Sequence, residues 1–387
     1  AGAALAHLDF GRRHAGGAAR VRVFNPKLAE HGWQSTHTVV QIVGDDMPFL
    51  VDSSTMEINR QGLALHLVIH PVLRVSRNGK GSLTGIAPSA DTGDGRLESF
   101  IFLEIDRQTD PARLQEIEQG LARVLADVAA AVAHWKPMQQ RLRELIEELA
   151  AAKPPLDAAD ASEAHAFLAW LLDNHMTLLG YRDYELLSEN GEDVLRIVRG
   201  SGLGILRERE GTTVSTSFAT LPPETRARAR APEILVLAKA NTRATVHRPG
   251  YLDYVGVKRF DAQGRVVGER RILGLYTHTV YTANLAEIPV VRRKVAAVQA
   301  RAGFLPASHN GKALASILED YPRDELLQIE TDELDAHAIA ILQLGERQRT
   351  RLLVRRDAYG RHITCLVFVP RDKYSTEQRQ KFQRILA

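Results

Sequence analysis

Cysteine is almost absent from this chain: among 387 residues only Cys365 carries a thiol. One cysteine excludes an intrachain disulfide framework, and its place inside the apolar run ITCLVFV reads as a small buried hydrophobe rather than a nucleophile. Long apolar runs are lacking too. No stretch reaches the about 18 uncharged apolar residues that a membrane-spanning helix needs, and the amino terminus AGAALAHLDFGRRHAGG has no apolar signal core. Charge of one sign is not in excess either. Lys and Arg number 50 against 47 Asp and Glu, and the resulting +3 supplies no global pull toward nucleic acid or membrane. These absences predict a cytoplasmic protein in a reducing compartment, with neither nucleic acid nor membrane as a partner. Phosphate-binding signatures are missing as well. No P-loop is present, and GSGLG at Gly200 to Gly204 has G-x-G-x-G spacing and leads into ILRERE without a strand–helix frame, so it reads as a turn.

What is present is the composition of a globular chain, 44% hydrophobic and 25% charged. At about 100 to 200 residues per domain, this length predicts two to four domains. The chain starts at Ala1 without a methionine and closes on STEQRQKFQRILA, where Ser375 and Gln378 have capping-box spacing and a helix has barely begun. These ends suggest a piece of a longer protein.

The first half reads as strand, helix, strand, strand, helix. TVVQIV, Thr38 to Val43, is β-branched and apolar. In the following GDDMPFLVDSSTMEINRQG, Pro48 fits a first helical turn, Asp45 or Asp46 can cap it, and Gly62 can end it. LALHLVIHPVL, Leu63 to Leu73, reads as one strand, a polar glycine-rich loop runs to Gly95, and ESFIFLEID is the next strand. From Pro111 to Trp135 the residues Leu114, Ile117, Leu121, Val124, Val128, Val132 and Trp135 keep a helical rhythm until Lys136-Pro137 interrupts it. A second amphipathic helix then runs into the linker AAKPPLDAAD. Beyond it, SEAHAFLAWLLDNH reads as helix and MTLLGYRDYELL, ILVLAKA, YLDYVGVKRF and RVVGERRILGLYT as strands, the last two joined by DAQG. LPPETRARARAPE reads as a mobile surface loop. Helices follow at IPVVRRKVAAVQARAG, GKALASILEDY and DELDAHAIAILQLGE, and RTRLLVRRD with RHITCLVFVP forms a hairpin across AYG.

Three groups of side chains could carry chemistry. Asp45 and Asp46 could be an acid–base pair or a cation site, but adjacent residues rarely aim at one atom, and capping with helix-dipole interaction accounts for both. His66 and His70 lie on one face of a strand, a possible metal pair, yet no third ligand is evident nearby, so a sheet face is the preferred reading and no metal is expected. TRATVHRPGYLDYVGVKR concentrates Arg243, His247, Arg248, Tyr251, Tyr254, Lys258 and Arg259. Such residues suit an anion site or a domain interface, and the balanced charge ranks both above nucleic acid.

The strand-to-helix passage Asp46, Met47, Pro48, Phe49, Leu50, Val51, then Gly62 and Leu63, is similar to the ACT-domain pattern. More widely, DDMPFLVDSSTMEINRQGLALHLVIHPVL, LLGYRDYEL, GSGLGILRE, NTRATVHRPGYLDYVGVKRFDAQGRVVGERRILGLYT, GKALASILEDYPRDELLQ and LLVRRDAYGRHITCLVFVPRDKY resemble the amino-terminal part of the large bacterial NAD-specific glutamate dehydrogenases. That resemblance implies an α+β fold of tandem ferredoxin-like, ACT-like βαββαβ modules with helical connectors. It implies a lead-in at 1–36, a first ACT-like domain with its helices at 37–152, a second at 153–287, a helical connector at 288–328 and a truncated third unit at 329–387. It further implies that NAD and the substrate lysine are held by a catalytic region following this chain, with no catalytic residue and no cofactor here. The expected partners are that catalytic region, further copies in a homo-oligomer, and an amino-acid effector at Asp45, Asp46, Met47, Pro48, Phe49 and Leu50. The other reading is a pure oligomerisation scaffold without an effector. Phe49 stands where a ligand-binding ACT loop usually has glycine, and its bulk would narrow a ligand's approach to the backbone amides.

Overall fold

A computed structural model describes residues 2–151, 157–345 and 349–386, and resolves them into two compact units. Most of the linker AAKPPLDAAD, residues 152–156, lies outside the described residues. The first unit comprises 1–136 with the segments 203–207 and 243–251, and the second holds 137–202, 208–242 and 252–387.

In the first unit the expected strand is β2, Thr38–Asp45, and every residue from Thr38 to Gly44 is buried. A strand buried on both faces must be covered on both, and this accounts for its apolar run, which only the buried Gln41 interrupts. β1, Arg20–Phe24, pairs antiparallel with one edge of β2, and β6, Arg96–Ile105, with the other. On the far side of β6 lie β3, Leu65–Ile69, and β4, Val72–Arg77, in succession, with β5, Leu83–Pro88, outside β4. The stretch expected as one strand is thus two, broken where Pro71 has no amide to give the ladder. The strand β5 also occupies part of the expected loop.

Helix α1, Gly2–Phe10, brings Phe10 onto a cluster of Val43, Val75 and Phe100. Helix α2, Leu50–Arg60, stops as expected, with Gly62 at φ 76° and the Leu63 amide returning to the Ile58 carbonyl. Helix α3, Pro111–Ala133, buries Ile117, Leu121, Val124 and Val128, and Asp110 caps it by accepting from the Ala112 amide at 2.9 Å. Its Gly120 allows a close approach to α2, since a Cβ there would stand 2.3 Å from Glu57 Oε1. The unit is α+β with an antiparallel sheet, as expected, but it is not a plain βαββαβ module. The strand beside β2 comes from before it in the chain instead of after α3.

In the second unit, α4, Trp135–Ala151, starts at the expected interruption and tolerates Pro137 in its first turn. After α5, Ala158–Trp170, come β7, Met176–Glu189, β8, Glu192–Ile197, β9, Leu235–Arg243, β10, Tyr251–Phe260, and β11, Val266–Tyr276. They neighbour one another in the order β9–β10–β11–β7–β8. The strand β8 was not expected. LPPETRARARAPE is not a plain loop: it forms helical turns at Pro223–Ala227 and Arg228–Arg230, and Arg226 pairs with Glu192 at 2.9 Å. The helices α6, Val291–Ala302, α7, His309–Asp320, α8, Arg323–Gln328, and α9, Thr331–Leu344, precede the hairpin of β12, Arg351–Arg356, and β13, Ile363–Phe368. Cys365 on β13 is half-buried and not the fully buried hydrophobe expected. Helix α10, Thr376–Leu386, is capped by Ser375, whose hydroxyl accepts from the Gln378 amide at 3.2 Å. Among the described residues no helix is long and apolar enough to cross a membrane.

Candidate functional site

The acidic pair does not cap α2. Phe49 occupies the N-cap position in the left-handed region, φ 75° and ψ 0°, and no side chain caps the helix. For a residue with a bulky side chain this conformation costs roughly 1–2 kcal/mol relative to the right-handed one. Glycine would adopt it freely, and this is the position where the ACT pattern usually has glycine. Asp46 faces the sheet instead: its Oδ1 accepts from the Ser99 hydroxyl at 2.5 Å, and its amide donates to the Leu97 carbonyl at 3.0 Å. Asp45 pairs with Arg96 at 3.4 Å. Both carboxylates therefore hold strand β6 to the loop and do not converge on one point. Met47 is half-buried, Pro48 exposed and Leu50 buried.

Beside them, Glu98 is fully buried and receives hydrogen bonds from Arg77 at 2.7 and 2.6 Å and from Arg96 at 2.7 Å. Burial opposes its charge, but these bonds and the two nearby cations hold its carboxyl below the ordinary range.

The histidines do not form a metal pair. His66 lies at an irregularity of β3 and pairs with Asp106 at 2.8 Å, while His70 Nε2 is 2.9 Å from the Ser99 hydroxyl. Among the described residues no group of His, Cys, Asp and Glu could hold a metal ion. Within GSGLG, Gly200 lies in a turn at φ 77°, and Leu203–Gly204 forms a two-residue strand.

The basic and aromatic stretch divides. Tyr254 and Lys258 belong to the second unit and are buried there. The Lys258 ammonium donates to Glu233 at 2.9 Å and to the Arg228 and Ala231 carbonyls, and burial lowers its pKa against the raising effect of Glu233. Tyr254 donates to Glu269 and lies under the guanidinium groups of Arg271 and Arg361. Arg243, His247, Arg248 and Tyr251 belong to the first unit. Arg243 stacks over the Tyr251 ring at 5.1 Å, and the Ala244 amide closes the segment on the Gly250 carbonyl at 2.8 Å.

Within the first unit this segment meets the start of α2. The His247 ring lies 4.9 Å from the Phe49 ring, and the His247 amide donates to the buried Ser53 hydroxyl at 3.1 Å. His247 is itself left-handed, with φ 79°. Two strained residues thus share one ring contact, a placement that surrounding structure must over-determine. Val246, fully buried, and Asp127 of α3 do so. Asp127 accepts from the Thr245 hydroxyl at 3.0 Å and from Arg207 at 2.7 Å, tying both inserted segments to one helix. His134 accepts from the Gly204 amide at 2.9 Å. Asp127 was legible as a signal that went unused, a charge set into the apolar stripe of Val124 and Val128.

Between the exposed face of α2 and residues 243–250 runs an open cleft of about 610 Å³. Asp52, Met56, Asn59 and Arg60 line one wall, at helical spacing, and Arg243, His247, Arg248 and Pro249 the other. Burial lowers the His247 pKa, Arg248 lowers it further and Asp52 opposes both.

Comparison with known proteins agrees with the family resemblance. Three family models match: the ACT1 domain of glutamate dehydrogenase over residues 1–121, its helical motif 1 over 288–347 and its ACT2 domain over 351–387. A NAD-specific glutamate dehydrogenase of Halomonas elongata is 44% identical over 371 residues, covering 95% of this chain. One of Pseudomonas aeruginosa is 43% identical over 368 residues, and one of Mycobacterium tuberculosis 30% over 384. The chain spans only 23% of the length of the first two.

Proposed function

We propose that this chain, which belongs to the glutamate dehydrogenase family, is a regulatory and architectural portion of an enzyme that converts L-glutamate, NAD and water to 2-oxoglutarate, ammonia and NADH. Hydride transfer and NAD binding take place in a region outside it. The observation that carries this reading is the pair of ACT-domain matches at 1–121 and 351–387, flanking a helical motif of the same family. The geometry favours it as well: the acidic pair, Glu98 and the buried cations described above are engaged in holding elements together. An effector would act by linkage, favouring whichever arrangement of domains binds it more tightly.

The scaffold reading has its own support. β3 presents Leu67, Val68 and Ile69 at 39%, 40% and 49% exposure, an apolar edge of the kind that pairs with another chain. In either reading the chain works with a catalytic region and in a homo-oligomer.

The test is direct. Purified chain is mixed with L-glutamate and NAD, and NADH absorbance is followed. The proposal expects none above background, and sustained glutamate-dependent NADH formation overturns it.

A further inference from the structure

Both walls of the α2 cleft combine apolar and cationic groups. Met56 and Pro249 supply apolar surface, Arg243 and Arg248 bring guanidinium groups to the rim, Arg60 brings one already held by Glu57 at 2.6 and 2.7 Å, and Asp52 adds a carboxylate. Guanidinium groups are planar forks matched to carboxylates, and several of them over an apolar wall favour a small organic acid over a hydrated inorganic ion. A volume of about 610 Å³ falls within the usual range of about 300–1,000 Å³ for small-molecule pockets. His247 adds an independent sign. Its Nδ1 is buried without a protein partner, in a group whose amide and ring are fixed by Ser53 and Phe49. Buried polar atoms are nearly always satisfied, so an orphan in the lining of a cleft asks for a ligand or water. The strained backbone at Phe49 and His247 is the kind of cost that persists where a site must be held in shape.

We infer that the cleft between the outer face of α2 and residues 243–250 binds a small organic carboxylate, held by the arginine rim and seated against Met56. This rests on the regulatory reading above and places its effector on the side of the helix and not at the Asp45–Leu50 loop. Amino acids and 2-oxo acids share the carboxylate. Asp52 distinguishes them, because it pairs with an ammonium group and repels a second anion.

The experiment titrates L-glutamate, 2-oxoglutarate and inorganic phosphate into the full chain by calorimetry, in the wild type, Met56→Trp, Arg248→Ala and Asp52→Asn. Circular dichroism melting serves as the check of folding. Saturable binding of one or both organic acids, weakened at least tenfold by Met56→Trp or Arg248→Ala with melting unchanged, is the expected result. If Asp52→Asn weakens glutamate alone, the ligand is an amino acid; if it strengthens 2-oxoglutarate, an oxo acid. Organic-acid binding that both Met56→Trp and Arg248→Ala leave unchanged overturns this site while sparing the regulatory reading. Heat from phosphate alone overturns the carboxylate assignment, and no saturable heat from any probe overturns the site together with effector regulation.

Discussion

Two charges, one in each unit, are held in opposite ways. In the first, Glu98 sits fully buried between Arg77 and Arg96, and the cations hold it ionised. In the second, Lys294 of α6 is surrounded by neutral acceptors, donating to the carbonyls of Leu326, Leu327 and Ile329 at 3.1, 3.1 and 2.8 Å. These are the orphan carbonyls at the end of α8, so the lysine acts as a C-terminal cap. Full hydrogen bonding does not offset its desolvation. Burial pushes the Lys294 ammonium down to about 8, with Glu330 opposing and Arg355 adding to the fall. A buried ion keeps its charge through opposite charge, whereas dipoles alone leave it near its titration point.

Replacing Glu98 breaks the first arrangement and has the largest expected effect. Glu98→Gln keeps the shape but leaves the buried Arg77 guanidinium without its carboxylate, while Arg96 keeps Asp45, at a cost of about 3 kcal/mol. Because the folded-state carboxyl is held below its ordinary value, the wild type gains stability above about pH 4.5 and loses it as acid protonates the group. Urea unfolding at stepped pH checks both, and the variant should lack this part of the acid loss.

Lys294→Met sharpens the comparison with a smaller effect. Three carbonyls lose their donor, for about 1–3 kcal/mol at neutral pH. The linkage slope has the same sign as for Glu98 but lies at high pH, and here it is the charged form that folding disfavours. Between about 8 and 10.5 the unfolded chain keeps the proton that the folded chain has released, so the wild type gains stability relative to the variant as pH rises. A difference that stayed flat over that window would show that Lys294 is not depressed.

The same contrast governs what the sequence made legible. Elements fixed by apolar rhythm and by local stops were readable, as with α3 and with α2 ending at Gly62. So were the Val266–Tyr276 strand and its hairpin partner. Strand β8 could have been read: Asn190 and Gly191, at φ 53° and 82°, form the two-residue turn that pairs Glu189 with Glu192. β1 was not readable, because its edge position depends on a partner strand further along the chain. Site residues were read less well. Tyr254 and Lys258 look like surface chemistry in a basic, aromatic stretch, and only the distant Glu269 and Glu233 make them buried. The loop at Asp45 to Leu50 reads as a helix entry capped by its acids, but the acids' partner, β6, and the left-handed Phe49 come from tertiary structure.

The account rests on the loop before α2 and the segment 243–251 forming one site within the first unit. A double-mutant cycle of Phe49→Ala and His247→Ala, measured by urea unfolding, tests that most directly. The ring contact at 4.9 Å predicts a coupling of about 0.5–1.5 kcal/mol between the two positions. Additivity within about 0.3 kcal/mol would contradict it.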